Sequence, residues 1–258
     1  MESQLSLSAI QTDLFWEDKA KNLQQLAEQI EALPTTDIII LPEMFTTGFT
    51  MAAEKFAESM QGETVEWLRY WAEKKKVAIG GSTIIKEGDS IYNRFLLVDP
   101  LGEIQYYDKR HTFTLAGEDK AYATGKNDGL VNYKGWKICL RVCYDLRFPV
   151  WGRITSDYDL LIYTANWPHK RIDAWDTLLK ARAIENMTYC VGVNRIGTDG
   201  SNLTYPGHTT VFDYMGEVIG QTKEYQGGST TVTLDKATMF LTRKKLNFLN
   251  DRDRFTLH

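Results

Sequence analysis

Apolar and polar residues alternate at the start of the chain, where serines separate Leu5, Leu7 and Ala9. A period of two predicts a first strand. From Ala20 the period changes: Leu23, Leu26, Ala27, Ile30 and Leu33 share a helical face, and Pro34 stops the helix. Ile38-Ile39-Ile40-Leu41 is a short apolar run closed by Pro42, the pattern of a buried strand. Strand, helix, strand in this order predicts a parallel βαβ unit. A second helix is predicted over about 64–76, with Val65, Leu68, Trp71 and Ala72 on one face.

The texture then turns to strands: 77–85, 91–98 and 104–107, joined at Glu87-Gly88-Asp89 and Asp99-Pro100-Leu101-Gly102. Those turn residues suit antiparallel connections. Residues 109–129 have no clear period, and a loop of that length inside a compact domain is usually functional. Lys134-Gly135 marks a hairpin into the apolar run that ends at Cys143. A strand at 160–164, a loop through Asn166-Trp167-Pro168, a helix over 174–186 and a strand at 189–194 follow. Short strands flank a turn at 213–216, the last strand covers 229–234, Asp235 caps a final helix, and 247–258 is a polar tail. Without repeats or linkers, residues 1–258 read as a single domain. Strands are many and helices few, which fits two sheets covered by helices.

Composition adds exclusions. At 258 residues the chain can bury a full core, and its net charge of −4 supports neither a nucleic-acid footprint nor an anionic membrane partner. The runs Lys74-Lys75-Lys76 and Arg243-Lys244-Lys245 fall at predicted helix ends and read as solvated cations there. Three cysteines without framework or zinc spacing fit a reducing compartment. Met1-Glu2-Ser3-Gln4 has no basic region followed by an apolar one, and no stretch approaches a membrane span. The expectation is a cytoplasmic protein. His111 and His208 read as local hydrogen-bond partners, since no carboxylate or histidine spacing supports a metal.

Three ionisable residues stand just past the ends of apolar strands: Glu43, Lys109 and Cys143. In an α/β sheet the carboxyl ends of strands are where ligands collect. There a carboxylate can take the thiol proton, an ammonium favours the thiolate and can stabilise an oxyanion, and the Tyr144 N–H is a second oxyanion donor. Taken singly, each has a plainer reading: a buried structural cysteine, a surface glutamate, a loop lysine. A thiol redox pair of Cys139 and Cys143 is a different class of function. On a strand their Cα atoms would be ~13 Å apart, whereas a disulfide needs ~4.4–6.8 Å. A non-catalytic scaffold is a third.

Around these residues the chain resembles the nitrilase superfamily of carbon–nitrogen hydrolases. The resemblance lies in Leu41-Pro42-Glu43, Tyr107-Asp108-Lys109, Val142-Cys143-Tyr144-Asp145-Leu146-Arg147-Phe148-Pro149, Asn166-Trp167-Pro168 and Ala181-Arg182-Ala183-Ile184-Glu185-Asn186. It implies an α/β fold, a four-layer α-β-β-α sandwich. It also implies a Glu43-Lys109-Cys143 triad supported by Glu118, no cofactor, and a homodimer formed through helices that follow the catalytic strands. Within the superfamily, residues 41–49, 93–98, 107–113 and 164–168 resemble the omega-amidase branch. That implies hydrolysis of a small amide substrate, the terminal amide of 2-oxoglutaramate or 2-oxosuccinamate. The runner-up is another aliphatic or carbamoyl amidase. Phe113 and Trp167 are the candidates to cover the substrate carbon chain. Arg110, His111, His169, Lys170 and Arg171 are the candidates for its carboxylate. Arg147 reads either as a substrate-binding residue or as a tie that holds the turn after Cys143, the tie being the preferred reading. Arg182 and Glu185 read as a surface pair by spacing and as a buried structural pair by resemblance. Arg141 departs from the family pattern, and its head is expected to reach the sheet edge.

Overall fold

A computed structural model describes residues 3–153, 155, 157–253 and 255–256. Its first half runs β1 (Gln4–Gln11), α1 (Lys19–Ala32), β2 (Ile38–Ile40), α2 (Ala53–Phe56), α3 (Glu63–Lys75), β3 (Ala78–Glu87), β4 (Ser90–Val98) and β5 (Ile104–Asp108). There follow α4 (Glu118–Ala121), β6 (Leu130–Tyr133), β7 (Trp136–Val142), α5 (Pro149–Gly152), β8 (Leu160–Ala165), α6 (Ile172–Asn186) and β9 (Tyr189–Asn194). The chain closes with β10 (Ile196–Thr198), β11 (Thr204–Pro206), β12 (Thr210–Phe212), β13 (Val218–Gln221), β14 (Gly228–Asp235) and α7 (Lys236–Leu246).

Two six-stranded sheets result, in the orders β14-β1-β2-β3-β4-β5 and β13-β12-β9-β8-β7-β6. Each has three parallel strands at its centre, β1-β2-β3 and β7-β8-β9, flanked by antiparallel ones. Leu7, Ile38, Ile40 and Phe95 of one sheet share a core with Ile138, Leu140, Ile162 and Val191 of the other. Each such side chain contributes about 1.5–3 kcal/mol when fully buried. On the outer face of the first sheet, Leu23, Leu26 and Ile30 of α1 and Val65, Leu68 and Ala72 of α3 pack over Ile39, Ile79 and Leu96. On the outer face of the second, Trp175, Leu179 and Ala183 of α6 cover Leu161, Tyr163 and Cys190. The layers are therefore helix, sheet, sheet, helix, as the motifs implied. Gly192 lets α6 approach this closely: a Cβ there would stand 2.2 Å from Leu179 Cδ1.

Several expectations need correction. Residues 109–129 contain a 3₁₀ turn at Thr114–Ala116 and the single turn α4. One turn is too short to show a period. The β10–β11 hairpin and α2 carry no readable alternation for the same reason. The basic run at the end of α7 is not wholly solvated: Arg243 is buried, donating from Nε to Met187 O at 2.8 Å and from a terminal nitrogen to Tyr158 O at 2.9 Å. Arg141 does not reach the sheet edge. It is buried, its guanidinium bonded to the carbonyls of Asp128, Leu140 and Trp151. Backbone carbonyls near its own strand satisfy the head without solvent. Residues 254, 257 and 258 of the polar tail lie outside the described residues. Among the described residues no helix is long and apolar enough to cross a membrane.

Candidate active site

The strand ends meet as their positions suggested. Glu43 follows β2, Lys109 follows β5, Cys143 follows β7 and Asn166 follows β8. Lys109 is 1% exposed, and its Nζ donates to Glu43 Oε1 at 3.0 Å and to both Glu118 oxygens at 2.9 Å. Glu43 and Glu118 are fully buried. The Asn93 amide on β4 bridges the two carboxylates, 2.9 Å from Glu43 Oε1 and 3.3 Å from Glu118 Oε1. Asn166 holds the other Glu43 oxygen, its backbone N–H donating to Oε2 at 2.8 Å. Glu118 in turn accepts the backbone N–H of Phe113 at 2.5 Å, tying the loop after Lys109 to the cluster.

Charge and burial set the protonation states. Burial works against the Lys109 ammonium, but Glu118 and Glu43 outweigh it and raise its pKa above the ordinary lysine value. Burial raises the Glu118 carboxyl, against the pull of Lys109. The Cys143 thiol sits well above the ordinary cysteine range. Burial is the main cause, Glu43 and Glu118 add to it, and Lys109 only partly offsets them. Although the ammonium favours the thiolate, two carboxylates outnumber it, so the thiol rests protonated beside a carboxylate that can take the proton.

The turn carrying Cys143 is held from several sides. Cys143 has φ 44°, a left-handed conformation that a non-glycine residue adopts only under constraint. Asp145, fully buried, supplies that constraint. Its Oδ2 accepts from Val142 N at 3.0 Å and from the Tyr107 hydroxyl at 2.8 Å. Its Oδ1 accepts the His111 backbone N–H at 3.1 Å and lies 2.7 Å from the His111 ring. Arg182 bonds Leu146 O at 2.8 Å and Glu185 at 2.9 Å, so it is buried and structural. The tie assigned to Arg147 is thus made by Arg182, and Arg147 instead lines the cavity. The 3₁₀ turn Cys143–Arg147 puts the Tyr144 N–H in its first turn, where backbone donors have no partner within the helix.

Cys143 opens onto a cavity of about 490 Å³. Phe113 and Trp167 both line it. Of the five carboxylate candidates only Arg171 reaches it. Arg110 stacks on Trp151, His111 pairs with Asp145, and His169 bonds Tyr225. Sequence reasoning missed Phe49, whose ring lies 5.1 Å from Lys109 Nζ, together with Trp16, Asp199 and Tyr205 in the wall. It also missed Asn93, although a polar pair, Asn93-Arg94, inside the apolar run of β4 was a signal. Cys139 and Cys190 are buried in the core, and burial lifts the Cys139 thiol to about 11. Among the described residues no group of three or more His, Cys, Asp or Glu side chains could hold a metal ion.

With this fold and site the chain belongs to the carbon–nitrogen hydrolase family, whose model matches residues 6–244. It is 43% identical to omega-amidase YafV of Yersinia enterocolitica over 99% of both chains. It is 32% identical to 2-oxoglutaramate amidase of Bacillus subtilis over 86% of this chain and 88% of that one. Among solved structures, a CN-hydrolase superfamily protein of Xanthomonas campestris, with an arsenic adduct in its active site, superposes at a TM-score of 0.96. It is 40% identical, over the full length of both chains.

Proposed function

We propose that the protein is an omega-amidase, hydrolysing the terminal amide of small 2-oxo dicarboxylic acid monoamides such as 2-oxoglutaramate to the acid and ammonia. The observation that carries the chemistry is the Lys109 ammonium joined to Glu43 and Glu118 at 2.9–3.0 Å, buried behind Cys143, which lines the cavity. In this reading Glu43 takes the Cys143 proton as the sulfur attacks the amide carbon. Lys109 and the Tyr144 N–H receive the oxyanion. Glu43 passes the proton to the departing ammonia, leaving a thioester. It then activates the water that hydrolyses the thioester and regenerates the thiol. Glu118 positions Lys109, and Phe113 and Trp167 enclose the carbon chain.

The substrate class rests on the omega-amidase and 2-oxoglutaramate amidase relatives, with the cations in the cavity wall in support. The test is ammonia release from 2-oxoglutaramate, glutamine and butyramide at equal enzyme concentration. The oxo acid should exceed both in kcat/KM by orders of magnitude. Equal rates for glutamine or butyramide would leave an amidase but remove the omega-amidase assignment.

The protein is further read as a cytoplasmic homodimer. Val150 on α5 and Ile184 on α6, the helices that follow β7 and β8, are 48% and 47% exposed. Apolar side chains in that position suit an interface between copies.

A further inference from the structure

We infer that Arg171, with Arg147 beside it, selects a carboxylate at the far end of the substrate and so turns the amide toward Cys143. This rests on the amidase reading above and names what that site recognises.

The charges of the cavity are divided. Behind Cys143, buried and outside the lining itself, two carboxylates, Glu43 and Glu118, face one ammonium, that of Lys109. In its wall Arg147 and Arg171 form no ion pair with any described residue. The acids in the same wall are already engaged. Glu17 accepts the Thr50 hydroxyl at 2.6 Å and pairs with Lys55 at 3.0 Å. Asp199 accepts the Ser201 N–H at 2.8 Å, the Leu203 N–H at 3.0 Å and the Tyr205 hydroxyl at 2.6 Å. Each guanidinium lies over an aromatic ring, Arg147 5.1 Å from Trp167 and Arg171 5.3 Å from Phe113. A cation–π contact helps hold a guanidinium in place and leaves its N–H donors free for a carboxylate.

The Arg171 backbone is pinned as well. Its carbonyl accepts the Trp167 indole N–H at 2.7 Å, and its N–H donates to Pro168 O at 3.0 Å. An amide with a carboxylate at its far end therefore meets repulsion from the buried acids behind Cys143 and attraction from the wall. Only one orientation satisfies both, and it points the neutral amide at the thiol.

The test measures kcat/KM for 2-oxoglutaramate, succinamate and butyramide in the wild type, Arg171→Gln and Arg171→Lys, with Lys170→Gln, outside the cavity, as control. In Arg171→Gln the preference for either carboxylate substrate over butyramide should fall about 100-fold, mostly through KM, because a desolvated carboxylate loses its donor. Arg171→Lys should restore part of it, and Lys170→Gln should change nothing. Inhibition of butyramide hydrolysis by 2-oxoglutarate should weaken in the same order. If Arg171→Gln does not fold, the Lys variant carries the comparison with a smaller fall. Equal losses for all three substrates, or an unchanged preference, would overturn the assignment. A wild type that favours succinamate over 2-oxoglutaramate sinks the oxo-acid reading of function while supporting carboxylate selection by Arg171. One that favours butyramide overturns both.

Discussion

At Cys143 burial is the main cause of the raised thiol pKa, and the two carboxylates the sulfur faces add to it against one ammonium. A protonated resting thiol needs a base during attack, so Glu43→Gln should lower kcat by about two orders of magnitude or more. The same substitution removes a negative charge that raises the thiol pKa, so that pKa should fall. Iodoacetamide alkylation measured against pH tests the sign. The wild-type rate should keep climbing above the ordinary thiol pKa of ~8.5, and the Glu43→Gln profile should inflect at lower pH. An inflection moved upward would show that Glu43 does not govern the thiol. Mass spectrometry of the alkylated protein should find Cys143 labelled before the buried Cys139 and Cys190. Lys109→Met, with folding confirmed by circular dichroism, should cost about 3 kcal/mol or more in transition-state stabilisation, read as a fall in kcat. Near-normal turnover would remove the lysine from the chemistry.

At the scale of elements, the catalytic geometry depends on how the strand-to-turn junction after β7 is fastened. Asp145 holds it from beneath, reaching Val142 in the strand, Tyr107 in β5 and His111 in the loop after Lys109. Lys109 and Cys143 therefore sit on segments bonded to one carboxylate. Asp145→Ala leaves those buried donors without an acceptor, at ~1–3 kcal/mol for each group left unsatisfied. The expected outcome is a lower melting temperature, and a kcat loss that persists at temperatures where the variant is fully folded. Unchanged kcat in the folded variant would mean that the turn holds its shape without the carboxylate. On the opposite face of the second sheet, Gly192→Val would drive methyl groups into Leu179 and Trp175 of α6. That change should lower stability by about 1–3 kcal/mol, read by urea unfolding.

Across the whole molecule, the two sheets stack so that strand ends from both converge on one site. The first sheet brings Glu43 and Lys109, the second Cys143 and Asn166, and the contact between Glu43 and Asn166 joins them at 2.8 Å. The site exists only when the sheets are packed, so turnover and sheet packing should be lost together on unfolding. The outer helices face solvent with apolar side chains, and the proposed dimer puts Val150 and Ile184 between copies. Val150→Asp combined with Ile184→Asp should shift sedimentation from twice the 29.6 kDa chain mass toward the single chain. A wild type that sediments as a monomer would remove the dimer.

The order of strands and helices was legible from residue pattern alone, because a buried face imposes a period of two or 3.6 on any segment long enough to show it. β1, α1 and α3 met that condition. Glu43, Lys109 and Cys143 could be picked out because each ionisable group directly follows an apolar strand, and the surrounding motifs made the plainer readings untenable together. The single turn α4 and the three-residue strands β10 and β11 were too short to show any period. The direction of the Cys143 shift was beyond the sequence, since it depends on counting charges within a few ångströms. So was the contrast between Arg141 and Arg147. One is swallowed by backbone carbonyls and the other stands free over Trp167, and which occurs depends on the neighbours that packing supplies. Sequence determined which residues lie at strand ends, because hydrophobic period is local. Only tertiary structure decided which of them share a cavity and in what charge state, because distance and burial are properties of the packed chain.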